Sequence, residues 1–353
     1  NAVIYDISNP AKPAQVVSLG QSGYYVSSRM IGDYVYLVTS QYIYSPVKGT
    51  PITYIPSTTD GVESKLLQPT DLYIGGNPQN AAYTVVGSIN LKSGANFTSA
   101  KAIFGGTSEL YANADHLLLA FARYEEEVLP IAPDKDGKNV QITRSTSSTD
   151  LVLLGLAEGQ ISKLAEGNVP GNLLNQFSMD EYKGAFRIVT TLNNWEQRIF
   201  TDGVDTYESD STSANALYTL DKDLNILGKI ENLAKDEFVK SVRFDGEIGY
   251  FVTFRQTDPL FAVDLSNPAN PRVLDALKIP GFSEYLHVFK QNLLLGIGYN
   301  ADETTGAMQG VKLSMFDTTN KANVKEVTTA KVDASWTIVG SNHKAILVDA
   351  EKN

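Results

Sequence analysis

The sequence predicts an all-β propeller built of four-stranded antiparallel blades, six of them in this chain. Three observations predict it. A module recurs: Asp6–Val17 reads D-I-S-N-P-A-K-P-A-Q-V-V and Asp264–Leu274 reads D-L-S-N-P-A-N-P-R-V-L. Asp6 precedes Tyr24 by 18 residues and Asp264 precedes Phe282 by the same 18, and each aromatic opens a strand-like run. Strand-like runs come in hairpin pairs of two alternating kinds. Phe238 to Phe282 spans 44 residues, the length of one four-stranded blade, and no segment keeps a 3.6-residue period over a helix length.

Tyr24–Met30 and Asp33–Thr39 form the first inner pair, joined by Ile31-Gly32. Phe238–Phe244 and Glu247–Thr253 repeat it across Asp245-Gly246, a hairpin turn dipeptide. Aligning Gly32 with Gly246 places Arg29 on Arg243, Tyr36 on Tyr250, Val38 on Val252 and Thr39 on Thr253. Further inner pairs fit Ser108–Arg123, Phe177–Thr190, Phe282–Gly298 and Ser335–Asp349. Outer pairs fit Val3–Leu19, Ala81–Phe104, Leu151–Leu164, Ala216–Ile230, Leu260–Ile279 and Val311–Val332, with turns of the Ser-Asn-Pro, Asp-Lys-Asp and Thr-Thr-Asn kind. The first outer pair and the last inner pair can complete one blade and close the ring without an open edge. A native protein longer at both ends would carry seven or eight blades.

A formal charge of −11, from 29 basic and 40 acidic residues, argues against nucleic acid, which needs clustered Lys and Arg, and against anionic lipid. Cysteine is absent, which removes disulfides, thiolate metal sites and a Cys nucleophile. No apolar run approaches the roughly 20 residues of a membrane helix, so membrane insertion is not expected. Asn1 and Ala2 run straight into a strand, so the start reads as trimmed, with room upstream for a removed secretion signal.

The connections between inner and outer pairs are long at 40–80, 124–150, 191–214 and 299–310, and blade topology puts them on one rim. Long loops in a compact domain are functional or mobile, so this rim is the expected binding surface. Its aromatic residues include Tyr42, Tyr44, Tyr54, Tyr73, Tyr124, Trp195 and Tyr207. Few lysines accompany them, which suits sugar stacking or a protein interface, although such rings also pin loops to a scaffold. Trp195, Tyr54, Tyr124 and Tyr207 are the expected anchors. Deleting most of 42–76 is expected to leave the propeller folded. Arg255 and Asp258 flank the one short connection and read as an ion-pair clamp.

Asp221-Lys222-Asp223-Leu224-Asn225 has alternating ligand types of a calcium loop but lacks its Gly and final Glu, so a hairpin turn explains it better. Asp134-Lys135-Asp136-Gly137 is the better candidate for a divalent cation such as calcium, with Asp134 and Asp136 as ligands. Glu109, Asp180, Glu181, Glu284 and Asp333 map to inner strands near the mouth of a central channel. Asp180, Glu181 and Glu284 could hold a divalent metal there, the arrangement a metal-dependent hydrolase or lactonase would need, or could be a solvated acidic lining. The three histidines, His116, His287 and His343, form no closely spaced pair, and no nucleophile elbow, phosphate loop or dinucleotide fingerprint is present.

The runs Tyr24–Thr39, Phe177–Tyr182, Val242–Pro271 and Ile279–His287 resemble the family of prokaryotic secreted proteins containing a C-terminal beta-propeller domain, over essentially the whole chain. The resemblance implies export and a longer native protein; it brings no catalytic residue with it. The expected function is therefore an extracellular, monomeric, non-enzymatic binding or scaffold module whose partner is a protein or a cell-surface glycan, with the hydrolase as its rival.

Overall fold

The computed structural model describes every residue except 76–77, 93–94, 108, 202–205, 255–257, 303–304, 306, 350 and 352–353. Along the chain, β1 (Ala2–Asp6) and β2 (Ala14–Gln21) form a hairpin. β3 (Tyr24–Ile31) and β4 (Tyr34–Tyr42) form the next, followed by the short strands β5 (Ser57–Thr59), β6 (Ser64–Leu66) and β7 (Leu72–Ile74). β8 (Ala82–Asn90) and β9 (Asn96–Phe104) complete a first antiparallel meander in the order β3-β4-β8-β9.

The second meander is β10 (Glu109–Ala112), β11 (His116–Val128), β13 (Asn139–Ala157) and β14 (Gln160–Pro170), with the two-residue β12 (Ala132–Pro133) paired to the start of β13. The third is β15 (Met179–Tyr182), β16 (Ala185–Phe200), β17 (Thr206–Leu220) and β18 (Ile226–Leu233). The fourth is β19 (Phe238–Asp245), β20 (Ile248–Phe254), β21 (Asp258–Asp264) and β22 (Arg272–Ile279). The fifth is β23 (Phe282–Lys290), β24 (Leu293–Ala301), β25 (Met308–Asp317) and β26 (Lys325–Val332). Each meander joins one expected inner pair to the outer pair that follows it.

The chain divides into two compact units, Asn1–Arg123 with Thr149–Val169, and Tyr124–Ser148 with Pro170–Asn353. In the first unit, Tyr36, Val38, Val86 and Ile103 of one meander pack on Leu117, Leu119, Val152 and Leu154 of the next. In the second unit, Val189 and Leu217 meet Val242, Phe251, Phe261 and Val263. Tyr250, Val252 and Leu260 meet Leu286, Leu294, Val311 and Phe316. β20 thus sends Phe251 to one neighbour and Tyr250 and Val252 to the other. A strand buried on both faces reads as a continuous apolar run, as G-Y-F-V-T-F does. Burying each such side chain contributes roughly 1.5–3 kcal/mol.

The repeated module has a physical purpose. Asp6 Oδ1 accepts the Ser8 N–H at 2.8 Å, Asp264 Oδ1 the Ser266 N–H at 2.9 Å and Asp317 Oδ1 the Thr319 N–H at 2.8 Å. Asn9, Asn267 and Asn320 then accept from Ala11, Ala269 and Ala322. Two consecutive side-chain turns therefore fix the outer hairpin in three places. Gly23 (φ 97°) and Gly281 (φ 79°) precede the opening aromatics Tyr24 and Phe282. At each, a Cβ would run into a carbonyl oxygen, that of Ser40 or of Tyr299, so the close approach as well as the positive φ demands glycine.

Three expectations need correction. Residues 335–349 form no strand pair; they hold a single 3-10 turn, His343–Ala345, with Val339 packed on Tyr285 and Ile297. Gly340, Ser341 and Asn342 break the alternation there, as Ile338 O accepts the Ser341 and Asn342 N–H groups and Asn342 caps the turn. Asp333 follows the outer strand β26 and is exposed, rather than lying on an inner strand. The connections are not loops throughout. β5 and β6 in the first extend the β1–β2 hairpin through β2, β7 lies parallel to β9, and the second and third are largely strand.

Candidate binding face

β11, β13, β16 and β17 continue well past the meanders they belong to. Val140–Thr146 of β13 pair antiparallel with Phe200–Asn194 of β16, and β16 pairs with β17 without interruption from Phe186↔Leu220 to Phe200↔Thr206. The hairpins of two successive meanders thereby fuse into one projecting sheet, all of it within the second unit. Thr191–Phe200, Thr206–Asn215 and Asn139–Ser148 contain neither Gly nor Pro, so nothing in them interrupts a ladder. The segments lack an apolar alternation because both faces of the projection are solvent-facing.

Register assigns the faces. Trp195 lies opposite Ser145 and Ser211, Gln197 opposite Thr143 and Ser209, and Ile199 opposite Gln141 and Tyr207. Directly opposed residues share a face, as do residues two apart on a strand. Trp195 and Tyr207 therefore stand on one face with Gln, Ser, Thr and Ile199 around them. They are 37% and 64% exposed. The other face carries Arg144, Glu196, Arg198, Glu208 and Asp210. There Arg144 Nε donates to Glu196 Oε2 at 2.9 Å and Arg198 to Glu196 Oε1 at 2.6 Å, and these two bonds hold the Glu196 carboxyl below the usual carboxylate range.

The other expected anchors lie elsewhere. Tyr124, on β11 where it enters the projection, is exposed, and its hydroxyl receives the Asn172 amide at 3.5 Å. Tyr54 belongs to the first unit and is half-buried at the end of the 3-10 turn Pro51–Thr53. Tyr42 and Tyr44 stack on each other at 6.0 Å, and Tyr73 packs against the first unit's core. Asp134 and Asp136 form the turn between β12 and β13: Asp134 Oδ1 accepts the Asp136 and Lys138 N–H groups, both at 2.9 Å. Asp221 does the same for Asp223 and Asn225.

Asp180 and Glu181 lie on β15, Glu284 on β23 and Glu109 on β10, all inner strands. Asp180 and Glu284 each have a cation beside them, which spacing alone could not reveal. Asp180 is paired to the buried Arg187, which also donates to Gly246 O; burial nevertheless holds the Asp180 carboxyl above its usual range. Glu284 is likewise raised by burial, against the pull of Lys240. Arg243 lies over the rings of Phe177 (4.4 Å) and Tyr285 (5.4 Å), and its Nε donates to Leu286 O at 2.8 Å. These arginines fasten one meander to the next. Among the described residues, no group of three or more His, Asp or Glu is placed to hold a metal ion. Arg255 and the side chain of Asp258, the expected clamp, lie outside the described residues.

The model of the beta propeller domain family matches residues 1–353. An uncharacterised protein of Archaeoglobus fulgidus is 42% identical over 198 residues, 56% of this chain and 28% of its own. An uncharacterised protein of Methanocaldococcus jannaschii is 40% identical over 187 residues, 53% of this chain and 27% of its own. The chain thus spans just over a quarter of the length of these relatives. A putative 6-phosphogluconolactonase of Bacteroides fragilis aligns at a TM-score of 0.30 and 10% identity, covering 92% of this chain and 88% of that one. The β-propeller domain of Cps50 (Swd1) from Myceliophteria thermophila aligns at 0.27 and 8%, covering 88% and 99%. No helix among the described residues is long and apolar enough to cross a membrane.

Proposed function

We propose that this chain, which belongs to the beta propeller domain family, is a non-enzymatic extracellular binding or scaffold module that engages a protein or a cell-envelope glycan through its projecting sheet. The observation that supports this is the segregation of that sheet: Trp195 and Tyr207 exposed on one face, the ion pairs on the other. Large aromatic side chains dominate binding hot spots, and a hydrogen-bonded platform presents them at low entropic cost. In this reading the five meanders are blades and β1–β2 is the outer pair of a sixth. Export and a C-terminal position in a longer protein rest on the resemblance carried by Tyr24–Thr39, Phe177–Tyr182, Val242–Pro271 and Ile279–His287, and a monomer is part of the proposal.

Isothermal titration of the full chain against the protein and glycan fractions of a prokaryotic cell envelope tests the reading. Saturable binding to one fraction is expected. Binding to none, or hydrolytic turnover on a generic substrate panel, would contradict it.

A further inference from the structure

The chemistry of the Trp195 face narrows the class of ligand, granted the reading above that the projecting sheet binds. Over the three strands in register, the face presents Gln141, Thr143 and Ser145, then Ile199, Gln197 and Trp195, then Tyr207, Ser209 and Ser211. None carries a charge at neutral pH. The charged residues of the projecting stretches 139–148, 191–200 and 206–215, namely Arg144, Glu196, Arg198, Glu208 and Asp210, all fall on the opposite face. β11 borders β13 on its other side, and its run Glu125-Glu126-Glu127 puts negative charge along that margin.

We propose that this face binds a neutral polysaccharide chain. A sugar ring offers an apolar C–H face and a rim of hydroxyl groups. An exposed indole or phenol ring stacks on the first, while Ser and Thr hydroxyls and Gln amides, which both donate and accept, satisfy the second. Tyr207 lies opposite Ile199, four residues along β16 from Trp195. At strand spacing this sets the two rings about 14 Å apart, the span of a short oligosaccharide rather than of one sugar. An anionic chain would find no cation among the nine residues of this face to offset its charge. A protein interface of ordinary composition would concentrate aromatic, Met and Arg side chains at its centre, whereas this face has Gln197 and Ser209 between its two rings, Ile199 beside Tyr207, and no Arg.

Calorimetric titration of the full chain with neutral oligosaccharides of glucose and of mannose, six to eight residues long, is the test, with oligogalacturonate as the acidic comparison. Saturable binding of a neutral probe is expected, weakened tenfold or more by Trp195→Ala and by Tyr207→Ala. Glu208→Gln, on the other face, should leave it within twofold. Trp195→Phe, which keeps a ring, should retain part of the affinity, and far-UV circular dichroism separates loss of binding from loss of the sheet. Preference for the acidic probe, no binding of any neutral probe, or binding insensitive to both aromatic substitutions would overturn the proposal. If the chain still bound a protein fraction of the envelope through this sheet, only the glycan assignment would fall. If it bound no fraction, the underlying reading would fall with it.

Discussion

Arg144 on β13 and Glu196 on β16 sit directly opposite each other, and the guanidinium donates to the carboxylate at 2.9 Å. The pair joins the hairpin of the second meander to that of the third. Arg144 is half-exposed, so the pair is worth about 0.5–1 kcal/mol in a double-mutant cycle. Glu196→Gln should leave the global melting temperature nearly unchanged while hydrogen exchange quickens in 140–146. Unchanged exchange there would show that backbone pairing alone holds the projection.

Gly281→Ala combines positive φ with a collision against Tyr299 O, whereas Gly184, also at positive φ, has open space around it. Urea unfolding should show a loss of about 3 kcal/mol for Gly281→Ala and about 1 kcal/mol for Gly184→Ala. Equal losses would mean that backbone conformation, not the close approach, sets the requirement.

The Asp264 carboxyl accepts from Ser266 and pairs with Arg272, which lowers its pKa to about 2. A group depressed on folding stabilises the native state above its unfolded pKa, near 3.8, and that contribution fades as pH falls towards 2. Asp264→Asn should therefore narrow the stability difference from wild type as pH drops from 4 to 2. A carboxyl titrating near 3.8 by NMR would contradict this.

Replacing 44–79 with a short flexible linker should destabilise the chain, contrary to what loop-closure entropy alone suggests. It removes β5 from β2 and β7 from β9, and strips the half-buried Lys101 of its 2.6 Å pair with Asp71. Thermal unfolding should report a loss of roughly 2–4 kcal/mol; an unchanged midpoint would restore the segment to the status of an insertion.

The meanders were legible because β20-like strands are apolar on both faces and because the Asp-x-Ser/Thr turns and pre-aromatic glycines recur at fixed spacing. The projecting sheet was not, since a ladder exposed on both faces needs no apolar alternation. The one signal for it was the run of residues without Gly or Pro. Trp195 and Tyr207 could be picked out as aromatic, but their common face depends on the β16–β17 register. Asp180 read as one of a group of converging carboxylates because its partner, Arg187, lies across a hairpin. The segment 335–349 misled because Trp336, Ile338 and Ile346 resemble strand residues while Gly340–Asn342 bend the chain.

Hydrogen exchange of the full chain, free and saturated with the envelope fraction it binds, tests the central claim most directly. The account predicts slowed exchange in 141–145, 195–199 and 207–211, with the hairpin turns at 31–33 and 245–247 unaffected. Protection confined to those turns, with the projecting sheet unchanged, would contradict it.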